Sequence, residues 1–309
     1  MGNVNERVLA FDVGGTLVKL GIVDSAGLVL ETSQIETHAD RGGDALLSRL
    51  LDIARSLIQQ HHLSGVAFST LGTIDASSGT ITGASDAIPG YLGRSPKRIF
   101  ENALSLPVIV ENDGNCVAVA EGWIGAAKDV SNYVALTLGT GIGGGIVING
   151  QLHHGAHAAA GEWGYMMVDG KRWEDVASLR GLARLADEAV PGCGFDAQRV
   201  FALRDHGDPT YVGVVGRWLR LLATGLANLI YVVDPQRVIV GGGITARGPV
   251  FLQELQAELN ALPRPDYLGL TDICLAAAGN GAGVLGAAKC WFQQNMNQQW
   301  KRENGPGNT

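Results

Sequence analysis

Residues 136–150 read "LTLGTGIGGGIVING", which places six glycines in fifteen positions between two apolar runs. Gly139, Gly141 and Gly144 satisfy the GxGxxG spacing of a dinucleotide-binding turn, and Glu162 lies near the distance at which a ribose-binding acid would follow. That fingerprint requires a helix to begin at the glycines. Here the chain continues as "GGGIVING", a β-branched run ending in an Asn-Gly turn, so the unit is strand, turn, strand. The context rejects a Rossmann site, and no GxxxxGK(S/T) segment offers an ordinary P-loop in its place. A glycine hairpin can instead converge backbone N–H groups on an anion, with Thr137 and Thr140 as further donors. Taken alone, such a hairpin is more simply a tight turn.

The same device occurs near the start of the chain. "DVGGTLVK", residues 12–19, offers Gly14, Gly15 and Thr16 as a second turn, Lys19 as a cation and Asp12 as a carboxylate able to hold hydrated Mg2+. "GGIVING" also echoes the earlier "LGIVDSAG", with Gly145 standing 124 positions after Gly21, a weak sign of internal duplication. Two such turns, one in each half, could grip a polyphosphate from opposite sides.

A chain of 309 residues fits two lobes better than one core. Charged residues make up 17% and apolar residues 46%, and the net charge of -7 provides no basic surface for a nucleic acid. Cys116, Cys193, Cys274 and Cys290 are scattered without CxxC spacing, which suits a reducing cytoplasm and disfavours a zinc site built from them. The opening "MGNVNERVLAFDVGG" has no cationic patch followed by a long apolar run. In "YVGVVGRWLRLLATGLANLIYVVD", Arg217 and Arg220 argue for a buried helix over a membrane crossing. The expectation is a cytoplasmic protein with neither nucleic acid nor membrane as partner.

From Arg7 the pattern is a hairpin ending at Ser25–Gly27, then a helix over 44–60 with Asp44 as its N-cap and Leu46, Leu47, Leu50, Leu51, Ala54, Leu57 and Ile58 on its apolar face. "GVAFST" and "PVIVEND" read as short buried strands with polar ends, and "CVAVAEGWIGAA" as the helix after the second. The second half repeats this plan. After its hairpin, helices are expected over 173–189 and 211–231, then strand "RVIVGGG", a helix around "FLQELQAELNAL", strand "ICLAAAG" and a last helix "GVLGAAKCWFQQ". The tail from Asn295 lacks apolar periodicity and reads as frayed.

"FDVGGTLVKLGIVD", "VENDGNCVAVAEGWIGAA", "LGTGIGGGIVINGQLHHGAHAAAGEWGY" and "VIVGGGIT", in that order and over nearly the whole chain, resemble the ROK family of sugar kinases and repressors. The resemblance implies an α/β, actin-like (ribonuclease H-like) kinase fold with two lobes, residues 1–114 and 115–309, and the active site in the cleft between them. It also implies that the last helix packs back on the N-terminal lobe. The implied cofactors are ATP and Mg2+, with Asp12, Gly14, Gly15, Thr16, Lys19, Thr137, Gly139, Thr140 and Gly141 around the phosphates and Gly241, Gly242 and Gly243 near the adenosine.

On the acceptor side, Asp113 ends the strand "PVIVEND", where a carboxylate can face a cleft or merely cap a helix. The resemblance makes it the catalytic base. Asn112 can bond a sugar through its amide, and Gly72 in "STLGTID" allows close backbone approach. Glu162, in "AGEWGY", and Glu174 match family glutamates that contact the sugar, although Glu174 equally suits the first turn of a helix. The sequence departs from the family in three places. A CxCGxxGC cluster is missing between Tyr165 and Glu174, Tyr165 stands where the cluster's histidine would be, and Ala87 replaces an asparagine that touches the sugar in many members. No structural zinc is expected. His153, His154 and His157 lack cysteine or acid at ligand spacing and read as ordinary loop residues.

The reading is an ATP-dependent kinase acting on the 6-hydroxyl of a hexose or β-glucoside, most similar to the zinc-less β-glucoside kinase branch and expected as a homodimer. Tyr165 is included in the sugar site. The alternatives are a kinase for glucose or N-acetylmannosamine, and a sugar-sensing repressor, disfavoured because "DVGGT" begins at Asp12 and leaves no room for a helix-turn-helix.

Overall fold

Apolar side chains alternating along Arg7–Asp24 give a strand two buried faces, and the glycines between them let it fold back on itself. The computed structural model describes residues 6–83 and 86–304. Its contacts divide the chain into two units: the first runs to Gly125 and takes in His154–Ala160 and the residues from Ala278, and the second comprises Ala126–His153 and Gly161–Ala277.

In the first unit, β1 (Arg7–Val13) and β2 (Leu17–Asp24) form an antiparallel hairpin closed by the pair Val13–Val18. β3 (Val29–Glu36) adds an exposed edge. Helix α1 (Gly42–Gln60) buries Leu46, Leu47, Leu50 and Ala54, as its 3.6-residue pattern requires. Asp44 is not its cap. The helix runs directly out of the 3-10 turn Ala39–Arg41, leaving Asp44 in the first turn, where it suits the helix dipole and accepts from Arg94 Nη2 at 2.6 Å. There follow β4 (Gly65–Thr70), the small hairpin of β5 (Thr73–Asp75) and β6 (Thr80–Gly83), α2 (Pro96–Leu104), β7 (Val108–Asn112) and α3 (Asp113–Trp123).

The sheet order is β3-β2-β1-β4-β7, with β1, β4 and β7 parallel and in register so that Val13, Thr70 and Asn112 lie side by side. Period-two alternation then splits the core. Leu9, Phe11 and Phe68 join α1 and Phe100 on one face, where Phe68 meets Phe11 and Phe100 at ring distances of 5.1 and 4.8 Å. Val8, Ala10 and Ala67 face α3 and the last helix, Ala282–Asn304, on the other. That helix runs on through residues 295–304 although they lack apolar periodicity, so the expected fraying from Asn295 is not observed there.

The second unit contains β8 (Tyr133–Leu138), β9 (Ile142–Ile148), β10 (Gln151–Leu152), the hairpin of β11 (Met167–Val168) and β12 (Lys171–Arg172), α4 (Trp173–Ala177), α5 (Leu179–Ala189), α6 (Ala197–Asp205), α7 (Pro209–Val233), β13 (Arg237–Gly241), α8 (Pro249–Asn260), α9 (Pro265–Leu268) and β14 (Asp272–Leu275). Its sheet, β10-β9-β8-β13-β14, repeats the first one strand for strand: two antiparallel pairings, then two parallel ones. The suspected duplication holds at the level of single residues. Gly21 pairs with Ala10 and Gly145 with Ala135, each three steps inward from the last pair of its hairpin.

The single helix expected over 173–189 is two helices. Ser178 is extended (φ -71°, ψ 171°), its hydroxyl accepts from Gly181 N at 3.0 Å to cap α5, and its carbonyl accepts from Trp218 Nε1 at 3.0 Å. Among the described residues no helix is long and apolar enough to cross a membrane.

Candidate active site

Parallel strands deliver their following loops to the same edge of a sheet. In the first unit that edge carries the Gly14–Thr16 turn after β1, the Leu71–Gly72 loop after β4 and Asp113 after β7. Gly14 N donates to Leu17 O at 3.0 Å, and Thr37 Oγ1 donates to Gly14 O at 2.7 Å. The turn is thus fixed by its own strands, while Thr16 is exposed. Ala87 stands against Gly15, 3.3 Å from where a Cβ would be. Asp12 lies opposite Lys19 across the hairpin and accepts from Ser69 Oγ at 2.7 Å. Burial pushes its carboxyl up, against the lowering influence of Ser69 and then Lys19. Lys19 Nζ itself donates to Asn280 O at 3.0 Å.

An acid held at this edge by Ser69, with Lys19 opposite it, fits hydrated Mg2+, which takes one or two carboxylates and completes its shell with water and phosphate oxygens. Among the described residues, no group of three or more His, Cys, Asp or Glu is placed to hold a metal ion alone.

Asn112 caps α3: its Oδ1 accepts from Asn115 N at 3.1 Å, and its Nδ2 donates to Gly72 O at 3.0 Å. Gly72 has φ 99°, which places that carbonyl where a side chain would be strained. Asp113 is exposed, in the first turn of α3, with Oδ1 accepting from Gly114 N at 2.8 Å. The structure therefore brings Gly72, Asn112 and Asp113 together.

In the second unit, the turn Gly139–Gly141 joins β8 to β9, with Gly139 N donating to Gly141 O at 3.1 Å and Leu179 N, at the start of α5, donating to Gly139 O at 2.9 Å. Thr137 pairs with Gly143 and also with Gly241 at the end of β13. Gly242 has φ 89°, and a Cβ there would lie 2.4 Å from Leu138 O, so only glycine lets β13 turn beside β8. Thr137, Gly139, Thr140, Gly141 and Gly241–Gly243 thus share one edge of this sheet.

Glu174 stands against this turn, and Glu162 lies within the field of its charge. A Cβ on Gly141 would lie 2.9 Å from Glu174 Oε2, and one on Gly164 would lie 3.0 Å from it. Burial raises the Glu162 carboxyl and the charge of Glu174 raises it further. Tyr165 is exposed, with the Arg172 guanidinium 5.8 Å from its ring centre. In the span where the sequence lacks the cysteine cluster, the β11–β12 hairpin carries Arg172, which bonds Asp175 at 2.8 and 3.1 Å and stands 3.4 Å from Glu174 Oε1.

This unit also contains a cavity of about 480 Å³ that no sequence pattern signals, lined by Leu179, Gln198, Phe201, Asp205, Ile244 and Arg247 among others, and reaching Gly243. Arg247 lies 4.4 Å over the Phe201 ring and donates to Asp205 at 2.7 and 3.2 Å, which lowers the Asp205 carboxyl to about 2. Residues from α5, α6 and the turn after β13 meet only in the folded chain, and no local pattern announces them. Glu111, a buried acid one residue from the end of β7 and not among the expected site residues, has its Oε2 2.7 Å from His154 Nε2. His154 is therefore not the ordinary loop residue expected; "VEND", with an acid where the strand is still buried, was the available signal.

A hairpin followed by parallel strands, repeated in two units with a glycine turn at each hairpin, defines the actin-like (ribonuclease H-like) α/β fold. The ROK family model matches residues 8–294, and the chain belongs to the ROK family. It is 36% identical over 293 residues to the β-glucoside kinase of Klebsiella pneumoniae, covering 91% of this chain and 94% of that one. Among solved structures, the ROK hexokinase from Thermus thermophilus superposes with a TM-score of 0.82 at 29% identity, covering 94% of this chain and 99% of that one. A ROK family glucokinase from Streptomyces griseus, in complex with glucose and AMPPNP, gives 0.78 at 26% identity, with 93% and 99% covered.

Proposed function

We propose that the protein is an ATP-dependent sugar kinase that transfers the γ-phosphoryl group to the 6-hydroxyl of a hexose or β-glucoside. The observation that carries this reading is the contact of Glu174 with Gly141: an acid suited to a sugar hydroxyl stands at the turn suited to phosphate, so one site serves both substrates. The kinship with a β-glucoside kinase and with a glucokinase bound to glucose and AMPPNP supports the same substrate pair.

Asp113 is the base. A sugar hydroxyl is a weak nucleophile, and a carboxylate that accepts its proton as the P–O bond forms contributes about 10²- to 10⁴-fold, roughly 3 to 5 kcal/mol of barrier. Asn112, Glu162 and Glu174 bond sugar hydroxyls and hold the acceptor oxygen in line, with Tyr165 at the rim and Gly72 giving close backbone approach. Backbone N–H groups of Gly14–Thr16 and Gly139–Gly141, with the hydroxyls of Thr16, Thr137 and Thr140 and with Lys19 once released from Asn280 O, bind the phosphates and the charge spread over the transferred group. Asp12 would hold Mg2+, which neutralises charge on the phosphate oxygens. Gly241–Gly243 border the adenosine, whose base suits the apolar Leu179, Phe201 and Ile244 cavity with Gln198 and Arg247 as polar markers.

A coupled assay of ADP release over hexoses and aryl-β-glucosides tests the reading. Sugar-dependent release with a preference for one of these classes is expected. Equal release with and without sugar would refute it.

A further inference from the structure

We propose that His154 is a positioning residue for Asp113, acting through the buried carboxylate of Glu111. Its effect on turnover rests on the kinase reading above, whereas its effect on the turn that carries Asp113 rests on hydrogen bonding alone.

Glu111 is buried at the end of β7, and a carboxylate in that place must have its acceptors filled. Oε1 accepts from Asn112 N at 2.8 Å and from Asn115 Nδ2 at 2.9 Å, which pins the Asn112 backbone before Asp113 and the Asn115 side chain after it. Oε2 is left to His154 Nε2 at 2.7 Å. The hydrogen bond to Glu111 raises the imidazole's proton affinity, burial opposes this, and the Glu111 charge adds to it. Glu111 is the acid that faces His154. The other titratable groups around Glu111 are Asp113, two residues on, and the buried Cys116 thiol of α3, itself beside Cys290 of the last helix and within the field of Asp12.

His154 also opens the segment His154–Ala160, which belongs to the first unit although the residues on both sides belong to the second. Ala160 N donates to His154 O at 3.2 Å and closes the segment, and Gly161 and Glu162 follow directly. One imidazole bond thus ties the segment His154–Ala160 to the turn that carries Asp113. Without its donor, Oε2 would be buried and unpaired. The carboxylate would rotate towards other donors, Oε1 would release Asn112 and Asn115, and the 112–115 turn would shift.

The test compares His154→Ala and His154→Gln in the full chain. A base displaced by about 1 Å costs on the order of 10²-fold, so a 10- to 100-fold fall in kcat is expected for the alanine variant, with KM for ATP nearly unchanged. Gln, whose amide can still donate to Glu111, recovers most of the plateau rate. Hydrogen exchange at the Asn112 and Asn115 amides rises in the alanine variant and returns in the glutamine variant. Unchanged kcat and exchange in His154→Ala, or a loss that Gln does not recover, would overturn the proposal. If the wild-type protein shows no sugar-dependent ADP release, the kinase reading falls by itself, and the exchange measurement still decides whether His154 holds the turn.

Discussion

Gly283, in the first turn of the last helix, has no side chain because the Asp12 carboxylate occupies that space. A Cβ there would lie 2.3 Å from the carboxylate carbon and one oxygen and 2.5 Å from the other oxygen. Non-bonded atoms of this kind settle at about 3.5 Å, so in Gly283→Ala the carboxylate must retreat by about 1 Å. That movement breaks the 2.7 Å bond from Ser69. The fold should tolerate it, since alanine gains about 1 kcal/mol of helix propensity and the lost hydrogen bond costs about as much. The proposed Mg2+ ligand, however, is displaced, and a fall in kcat on the order of 10- to 100-fold with a higher Mg2+ requirement is expected. Two neighbours serve as controls. Gly281→Ala meets only Leu285 Cδ1 at 3.7 Å and should be silent, whereas Gly286→Ala would set a Cβ 1.8 Å from the Cys116 carbonyl oxygen. That oxygen belongs to the backbone of α3 and cannot swing away, so Gly286→Ala should lose about 3 kcal/mol of stability. ADP release against Mg2+ concentration, with thermal unfolding in parallel, reads all three. A folded Gly283→Ala protein with wild-type kcat and Mg2+ dependence would refute the reasoning.

Glu162 is raised by burial and then by Glu174, and in the proposed site it accepts a sugar hydroxyl best when ionised, so kcat/KM for sugar should fall with decreasing pH at a higher pH than an ordinary carboxylate would give. Glu174→Gln removes the second cause and should move that limb to lower pH, as a pH series of initial rates would record. Chelation of Mg2+ by EDTA should abolish turnover reversibly and leave the thermal midpoint unmoved, because among the described residues no group is placed to hold a structural metal ion; calorimetry with and without EDTA checks this.

The sequence revealed what backbone chemistry alone determines. A β-branched run after Gly139–Gly141 can only continue as a strand, which decided against a Rossmann unit, and Gly21 and Gly145 prove to be equivalent positions of a repeated sheet. The place of Asp113 at a sheet edge is legible because a polar residue after an apolar strand marks such an edge. Contacts made across the fold were not legible. Ser178 breaks a helix because Trp218, forty residues on, binds its carbonyl, and Asp44 loses its cap role to a 3-10 turn that no apolar pattern signals. Glu111 with His154, Asp12 with Gly283, and the Phe201–Arg247 wall are likewise meetings of distant segments: the acid in "VEND" signals that a partner is needed, but residue type and spacing do not encode which distant residue meets it.

Steady-state kinetics of Asp113→Asn test the central claim most directly, since the amide keeps the shape of the side chain and loses its ability to take a proton. The account expects kcat to fall by roughly 10²- to 10⁴-fold while KM for sugar and ATP changes little. Turnover within about threefold of wild type, below even the smallest effect of a general base, would contradict it.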